Sequence, residues 1–153
     1  MPLHYLIYES RAVRLFTEAQ LGELLRQARA HNAAYDLTGI LLYATDGRFV
    51  QVLEGPETAV RALHYGRIAA DRRHHRVRVL AEGPLVRRRF TDWRMGYRAA
   101  TPTLLAELPG YVSTNDASFL LPTLPHLPSP LLDKLLDYVQ YSPRSPWLDE
   151  AVV

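Results

Sequence analysis

The chain has 153 residues and contains no cysteine and only one lysine. The lack of cysteine excludes disulfides, thiol catalysis and cysteine-ligated metals. Basic residues cluster at 72–78 and 87–89, but nearly all are arginine, which indicates a compositional bias. The net charge is only +2, and no RNA- or DNA-binding motif accompanies the clusters. We interpret them as solvated faces, so no nucleic-acid partner is expected.

Long apolar runs are also missing. No stretch approaches the ~18 apolar residues that a membrane helix needs, and no secretory signal precedes the first predicted strand. A cytoplasmic location without a membrane partner is therefore expected. The adjacent pair His74-His75 is not expected to bind a metal, because neighbouring side chains diverge and no third ligand is in view. Length and the 48% apolar fraction predict one domain with a small appended extension.

The most informative stretch is Gly39–Pro56. Two apolar runs, Ile40–Tyr43 and Phe49–Leu53, flank an Asp-Gly pair that ends at Gly47. This pattern predicts a β-hairpin, because glycine adopts positive φ without steric cost. Alternate residues of a strand share a face, so Gln51 places an amide on an otherwise apolar face. A buried amide costs about 1–3 kcal/mol per unmet group, so Gln51 must be satisfied by the fold or by a ligand.

The remaining pattern predicts an α+β fold with a ferredoxin-like β-α-β-β-α-β-β order. The first helix opens with a capping box at Thr17 and Gln20 and ends near His31-Asn32. The second runs from Pro56, at its first position, to about Asp71. The other predicted strands are Leu3–Ser10, Arg76–Ala81 and Trp93–Arg98. Right-handed crossovers put both helices on one face, which predicts a polar cluster below a groove: Tyr8 and Gln51 as neighbours, with Asn32, Arg67 and Asp71 at the rim.

The predicted extension contains a short helix at Thr103–Leu108, a proline-rich connector and a helix from Ser129 to Tyr141 with an apolar stripe. The helix-free face of the sheet, lined by residues such as Val50 and Val52, also needs a cover. We expect the C-terminal helices to cover this face and to carry self-association or a downstream partner. A cover without a signalling role is the alternative.

Six motifs resemble the BLUF domain, a family of flavin-binding blue-light receptors. They occur in the family's order over the first hundred residues: LIYES at 6–10, HN at 31–32, LTGILLY at 37–43, FVQVLEGP at 49–56, RIAADRRH at 67–74 and FTDWRMGY at 90–97. One departure concerns helix two, where Ala62–Tyr65 carries one residue more than the family pattern. An inserted residue rotates a helix by about 100° unless it is absorbed, which affects the expected placement of Arg67 and Asp71.

The resemblance implies roles for three residues. The Tyr8 hydroxyl would bond Gln51 and donate an electron and a proton to the excited flavin. Gln51 would bridge Tyr8 and the N5/C4=O edge of the flavin, using an amide that can present either donor or acceptor. Asn32 would bind the C4=O/N3–H edge. The alternative for Asn32 is a helix cap in the left-handed conformation.

Other residues have weaker indications. The resemblance places Arg67 and Asp71 at the flavin C2=O and ribityl chain, whereas a surface i,i+4 ion pair is the alternative. His31 would bond the ring or ribityl chain, or be exposed. Trp93 and Met95 would form the switch strand near the flavin, although such residues in a late strand are more often core. Ser10 would bond near Gln51 or simply end its strand.

The resemblance implies a flavin-binding domain at 1–100 and a helical extension at 101–153. It also implies a blue-light sensor without catalytic activity that binds FAD, with FMN or riboflavin as alternatives. Light-driven transfer from Tyr8 would rearrange the bonds of Gln51, and the signal would pass to an unidentified downstream protein. A homo-oligomer is expected. Two rivals remain open: a flavin-free ferredoxin-like interaction module and a flavin redox enzyme, although no G-x-G-x-x-G motif supports the latter.

Overall fold

The computed structural model describes residues 2–91, 93–103 and 105–106. Its elements follow the predicted order. They are β1 (Leu3–Ala12), α1 (Glu18–Tyr35), β2 (Thr38–Ala44), β3 (Arg48–Pro56), α2 (Glu57–Leu63), a π-helical segment (His64–Ile68), β4 (His74–Leu85) and β5 (Gly96–Ala100).

The strands form one sheet in the order β4-β1-β3-β2-β5. Strand β3 is antiparallel to both β1 and β2, and β5 is parallel to β2. Leu25 of α1 and Val60 of α2 pack into the same apolar cluster as Leu6 and Leu53 of the sheet. Both helices therefore cover one face, which we call the helix-facing side, and the predicted α+β, ferredoxin-like architecture is confirmed.

The hairpin places Gln51 in the middle of the sheet. Gly47 has φ 91°, and its N–H donates to the carbonyl of Ala44 at 2.9 Å, as the Asp-Gly signal predicts. Gln51 pairs with Tyr8 of β1 on one side and with Leu41 of β2 on the other. The predicted adjacency of Tyr8 and Gln51 is therefore present in the backbone register.

Helix α1 begins as predicted but ends about one turn later. The Thr17 hydroxyl accepts from the Gln20 N–H at 3.1 Å, and the Gln20 side chain accepts from the Thr17 N–H at 2.9 Å. The helix continues through Tyr35 because alanines, which favour helix, follow Asn32. Asp36, at φ 59°, is the left-handed cap. The predicted end at His31-Asn32 was wrong, and Asn32 lies inside the last turn with its side chain directed away from capping.

Helix two also differs from the prediction. Pro56 is the N-cap and not the first helical residue, and α2 gives way to the π-helical segment at His64. There the Ala69 N–H donates to the His64 carbonyl at 2.8 Å, five residues back. The wider π turn accommodates one additional residue, at the place where the sequence carries one. The helix ends at Ile68, so Asp71 lies beyond it and the predicted end was wrong.

The last two strands have shifted boundaries. Strand β4 begins at His74 and contains a β-bulge where Arg76 adopts φ 54°. Strand β5 begins at Gly96, so Trp93 and Met95 precede it and do not form a strand. The Trp93 carbonyl accepts from the Gly39 N–H at 3.0 Å, and the Trp93 ring lies against Gly96. These contacts fix the segment as a bend at the sheet edge.

The other face of the sheet, which we call the opposite side, carries a second core. Val50 and Val52 are buried there with Phe90 and Leu105, and Trp93 packs against them. Pro102, Thr103, Leu105 and Ala106 are helical. The predicted helix at Ser129–Tyr141 and most of the extension lie outside the described residues. Within the described residues, no helix is both long and apolar enough to cross a membrane.

Candidate functional site

A cleft opens on the helix-facing side, between α1 and the end of helix two. Its volume is about 190 Å³, far above the ~10–15 Å³ that holds one water. The walls combine apolar and polar side chains. They include Leu24, Ala28, Leu41, Phe49 and Ile68, with Tyr8, Asn32, Gln51, His31, Arg67 and Asp71 as the polar members predicted from the sequence.

Tyr8 and Gln51 form a short hydrogen bond at the floor of the cleft. The Tyr8 hydroxyl donates to Gln51 Oε1 at 2.5 Å, and both side chains are buried. Burial, with a smaller contribution from the Asp71 carboxylate, raises the pKa of Tyr8 well above its usual value. Tyr8 therefore keeps its proton at neutral pH and is a donor in this bond.

The amide of Gln51 has a second, weaker partner. Its Nε2 donates to the Met95 sulfur at 3.4 Å. A thioether is a poor acceptor compared with an oxygen, so the nitrogen end of the amide is less firmly bound than the oxygen end. Exchanging the two ends would replace both bonds, because Tyr8 would then face a donor.

Asn32 supplies an acceptor without a partner. Its side chain is fully buried and lines the cleft, and its Nδ2 donates to the Arg94 carbonyl at 2.5 Å. Its Oδ1 has no hydrogen-bond partner among the described residues. A buried unmet acceptor costs about 1–3 kcal/mol, so this oxygen is suited to a ligand N–H.

Among the described residues, Arg67 and Asp71 are not paired with each other. Arg67 contacts His31 Nδ1 at 2.8 Å, and the His31 ring stacks on Tyr35. Burial and the nearby Arg67 lower the pKa of His31. Asp71 pairs with Arg73 at 2.6 Å, which holds the pKa of this carboxyl below its usual range.

Trp93 and Met95 lie on different sides of the sheet. Met95 is buried in the helix-facing core beside Gln51, whereas Trp93 packs in the opposite core under the Arg98 guanidinium. Helix α1 holds this segment through Asn32 and through Arg29, whose Nε donates to the Met95 carbonyl at 3.0 Å. Of the two, Met95 is the one that touches the cleft network.

Two histidines beside Tyr8 were not predicted from the sequence to belong to this site. The His74 ring is 6.3 Å from that of Tyr8, and it bonds the Ser10 hydroxyl at 2.8 Å and the Ile68 carbonyl at 2.6 Å. Ser10 therefore has His74 as its partner. His64 lies against the Tyr8 ring at 4.8 Å. Its spacing of four residues from the buried Val60 was a usable signal, because such residues share a helix face.

The family model described as "BLUF: Sensors of blue-light using FAD" matches residues 3–96. Photoactivated adenylate cyclase subunit beta of Euglena gracilis is 39% identical over 105 residues, 68% of this chain and 12% of that protein. The corresponding Euglena longa subunit is 37% identical over the same share. This chain thus spans about 12% of the length of these curated relatives.

Solved structures agree. The dark state of the BLUF protein BlrB superposes with TM-score 0.62 at 29% identity, covering 89% of this chain and 96% of that one. Klebsiella pneumoniae BlrP1 with FMN and cyclic diGMP gives TM-score 0.57 at 33% identity over 79% of this chain and 33% of that one. Fold and site define a flavin-based light-sensing domain. The chain belongs to the BLUF family of blue-light photoreceptors.

The residues present fit a flavin. The isoalloxazine ring has apolar faces and one polar edge, and the cleft offers apolar walls with amides at its floor. The unpartnered Asn32 oxygen matches the single N–H of that edge, and Gln51 can present either donor or acceptor. Among the described residues, no group of three or more metal-ligating side chains is placed to hold a metal ion.

Proposed function

We propose that the cleft binds FAD and that Tyr8 and Gln51 form its photochemical switch. The observation that carries this proposal is the 2.5 Å bond between a proton-retaining tyrosine and an amide at the cleft floor. When bound, the flavin supplies blue-light absorption and an excited ring that accepts an electron. FAD is favoured because the family description names it, and FMN, present in the BlrP1 structure, is the alternative.

Each residue has one task in this proposal. Asn32 directs Oδ1 at the ring's N–H, and Arg67, Asp71 and His31 contact the more exposed parts of the cofactor. Tyr8 releases its phenolic proton along the bond to Gln51 together with one electron, and it recovers both when the charges recombine. Gln51 is then left with donor and acceptor exchanged relative to Tyr8 and Met95.

The Trp93–Met95 segment carries the change outward. Exchange at Gln51 alters the bond to Met95, whose backbone is tied to Arg29 and whose neighbour Arg94 is tied to Asn32. Each such bond is worth about 1 kcal/mol, enough to shift a nearly balanced two-state element. We propose that the signal passes to a downstream cytoplasmic protein through a homo-oligomer, and that the chain itself performs no catalysis.

The test is reconstitution followed by illumination. Purified protein loaded with FAD or FMN should be yellow, and blue light without added reductant should give a red-shifted spectrum that reverts in the dark. Asn32→Ala should weaken flavin binding about tenfold or more, since a hydrogen bond between uncharged groups is worth about 1.4 kcal/mol. The exposed His75→Ala is the control. A protein that stays colourless with excess flavin, or that bleaches without a red shift, contradicts the proposal.

A further inference from the structure

Tyr8 contacts a second ring on its helix-two side. The His64 ring centroid lies 4.8 Å from that of Tyr8, with the planes tilted by 47°. His64 is only 2% exposed, and the described residues that line the cleft do not include it. The phenol is therefore held between Gln51, at its hydroxyl, and His64, against its ring.

The π-helical segment sets the position of His64. The His64 N–H bonds the carbonyls of Val60 and Arg61, as in an ordinary helix end, while its own carbonyl accepts from Ala69 five residues later. The wider turn lets Val60 face the core and Ile68 face the cleft on either side of it. Such π turns occur frequently at functional sites, and this one begins at the residue that touches Tyr8.

His64 sits in surroundings that favour the neutral ring. Its Nδ1 is buried without a partner among the described residues. Burial lowers the pKa of His64, Glu82 acts in the opposite direction, and His74 lowers it again. The groups that face it are Tyr8 from β1, Glu82 and His74 from β4, and Tyr65 on its own segment.

Glu82 already has three other hydrogen-bond partners. Its carboxylate accepts from His4 at 2.9 Å, from Arg61 at 2.7 Å and from the Tyr65 hydroxyl at 2.5 Å. A carboxylate with three such partners offers little additional attraction to a protonated His64. The geometry around His64 thus matches an uncharged imidazole.

We propose that His64 is a positioning residue for Tyr8: its uncharged ring holds the phenol in line with Gln51 and leaves Tyr8 able to lose an electron. The inference rests on the proposed role of Tyr8. One electron and the phenolic proton leave Tyr8 for the flavin, and both return to Tyr8, so no other reactant is consumed. A positive charge against the ring would oppose the loss of the electron.

The test compares His64→Phe, which keeps a ring that cannot titrate, and His64→Leu with the wild type, all as full-length flavin-loaded protein. The exposed His75→Phe is the matched control. In the dark, NMR titration of the imidazoles should show His64 taking up its proton at lower pH than an ordinary imidazole. The yield of the red-shifted state should fall at least about threefold as His64 titrates in the wild type and stay constant over that range in His64→Phe.

The proposed role of His64 in positioning the Tyr8 ring is tested by a separate measurement. His64→Leu, which leaves the Tyr8 ring without an aromatic neighbour, should change the dark recovery rate at least about threefold, whereas His64→Phe should stay within about twofold of wild type. The inference is overturned if His64 titrates without any effect on yield, if His64→Phe keeps the wild-type pH profile, or if His64→Leu recovers like the wild type. Failure of the proposed function looks different, because the wild type itself would then show no red shift.

Discussion

The two faces of the sheet differ sharply although they are built from the same strands. On the helix-facing side, the core is interrupted by the buried polar groups Tyr8, Gln51 and Asn32 around a cleft. On the opposite side, Val50 and Val52 belong to an apolar cluster. The opposite side also buries the Glu54 carboxylate, but this group accepts from the Arg89 and Phe90 N–H groups at 2.8 and 2.9 Å, whereas Asn32 Oδ1 on the helix-facing side has no partner among the described residues. Polar groups buried in an apolar region are costly unless satisfied, so the helix-facing side gives up stability for a site.

The Trp93–Met95 segment touches both faces. Met95 bonds Gln51 on one side, and Trp93 packs into the apolar cluster on the other. The segment crosses the sheet edge between them and is tied to α1 by Asn32 and Arg29. A change in the cleft can therefore reach the opposite core within three residues. The predictions below test this division.

Replacing Gln51 should have the largest effect. We expect Gln51→Leu to abolish the red-shifted state completely while changing stability little, because it removes the amide that bonds Tyr8 and Met95. Light-minus-dark absorption spectra measure the first effect, and urea unfolding measures the second.

The adjacent Val52 is the control, since it lies on the opposite side. Val52→Ala should lose about 2 kcal/mol of unfolding free energy and keep the red shift. If Val52→Ala loses the photoresponse in a folded protein, or Gln51→Leu retains it, the two faces do not divide the work as described.

A substitution at the edge should disturb the crossing point. A Cβ at Gly96 would lie 2.0 Å from Trp93 Cε3, so Gly96→Ala should displace the ring and cost about 1–3 kcal/mol. Gly22, in the second turn of α1, has nothing within 4 Å of its added Cβ. Gly22→Ala should instead stabilise by about 0.5–1 kcal/mol. Thermal unfolding of the Gly96→Ala and Gly22→Ala variants measures both effects, and equal melting temperatures would contradict the proposed packing of Trp93 against Gly96.

Separate substitutions of Met95 and Trp93 test the difference between the faces more finely. Met95→Leu removes the sulfur acceptor of Gln51 but keeps most of the volume. We expect a retained red shift with a dark recovery rate altered by about two- to fivefold, because the lost hydrogen bond is worth only about 0.5–1 kcal/mol. Trp93→Phe should leave recovery closer to wild type. A larger change in dark recovery for Trp93→Phe than for Met95→Leu would instead indicate that Trp93 connects the cleft to the opposite side.

The smallest expected effect is a pH dependence of stability. The folded-state pKa values of His31 and His64 are lowered from the ordinary 6.5. Below about pH 6.5 the unfolded chain therefore binds more protons than the folded one, and stability should fall from about pH 7 to pH 5. His64→Phe should flatten part of this slope. Denaturant unfolding across the range checks it, and a slope of the opposite sign would contradict the assigned shifts.

Local signals predicted most of the fold. The Asp-Gly hairpin, the Thr17 capping box and the order of elements have causes within a few residues, and each is present in the structure. The adjacency of Tyr8 and Gln51 followed from topology alone. The errors lie at boundaries, where α1 runs past Asn32 and β5 starts only at Gly96. These boundaries depend on contacts with residues distant in the chain, such as the hydrogen bond from the Gly39 N–H to the Trp93 carbonyl.

The site was predicted in part for the same reason. The polar residues whose positions follow from the alternation of a strand or the spacing of a helix were identified, and they line one cleft. The π-helical segment was not predicted, because an extra residue in a helix does not reveal whether it rotates the helix or widens one turn. His64 was missed with it. The sequence could not predict which side of the sheet Trp93 and Met95 each face, because they lie in a bend where side chains do not alternate regularly.

The most direct test of the central claim compares two buried tyrosines on the helix-facing side. Tyr8 lines the cleft and donates to Gln51, whereas Tyr43 is not among the described residues that line the cleft, and its hydroxyl accepts from the Phe16 N–H. Light-minus-dark spectra should show flavin bound in both Tyr8→Phe and Tyr43→Phe, with the red shift lost only in Tyr8→Phe. A red shift of wild-type yield in Tyr8→Phe would contradict the account.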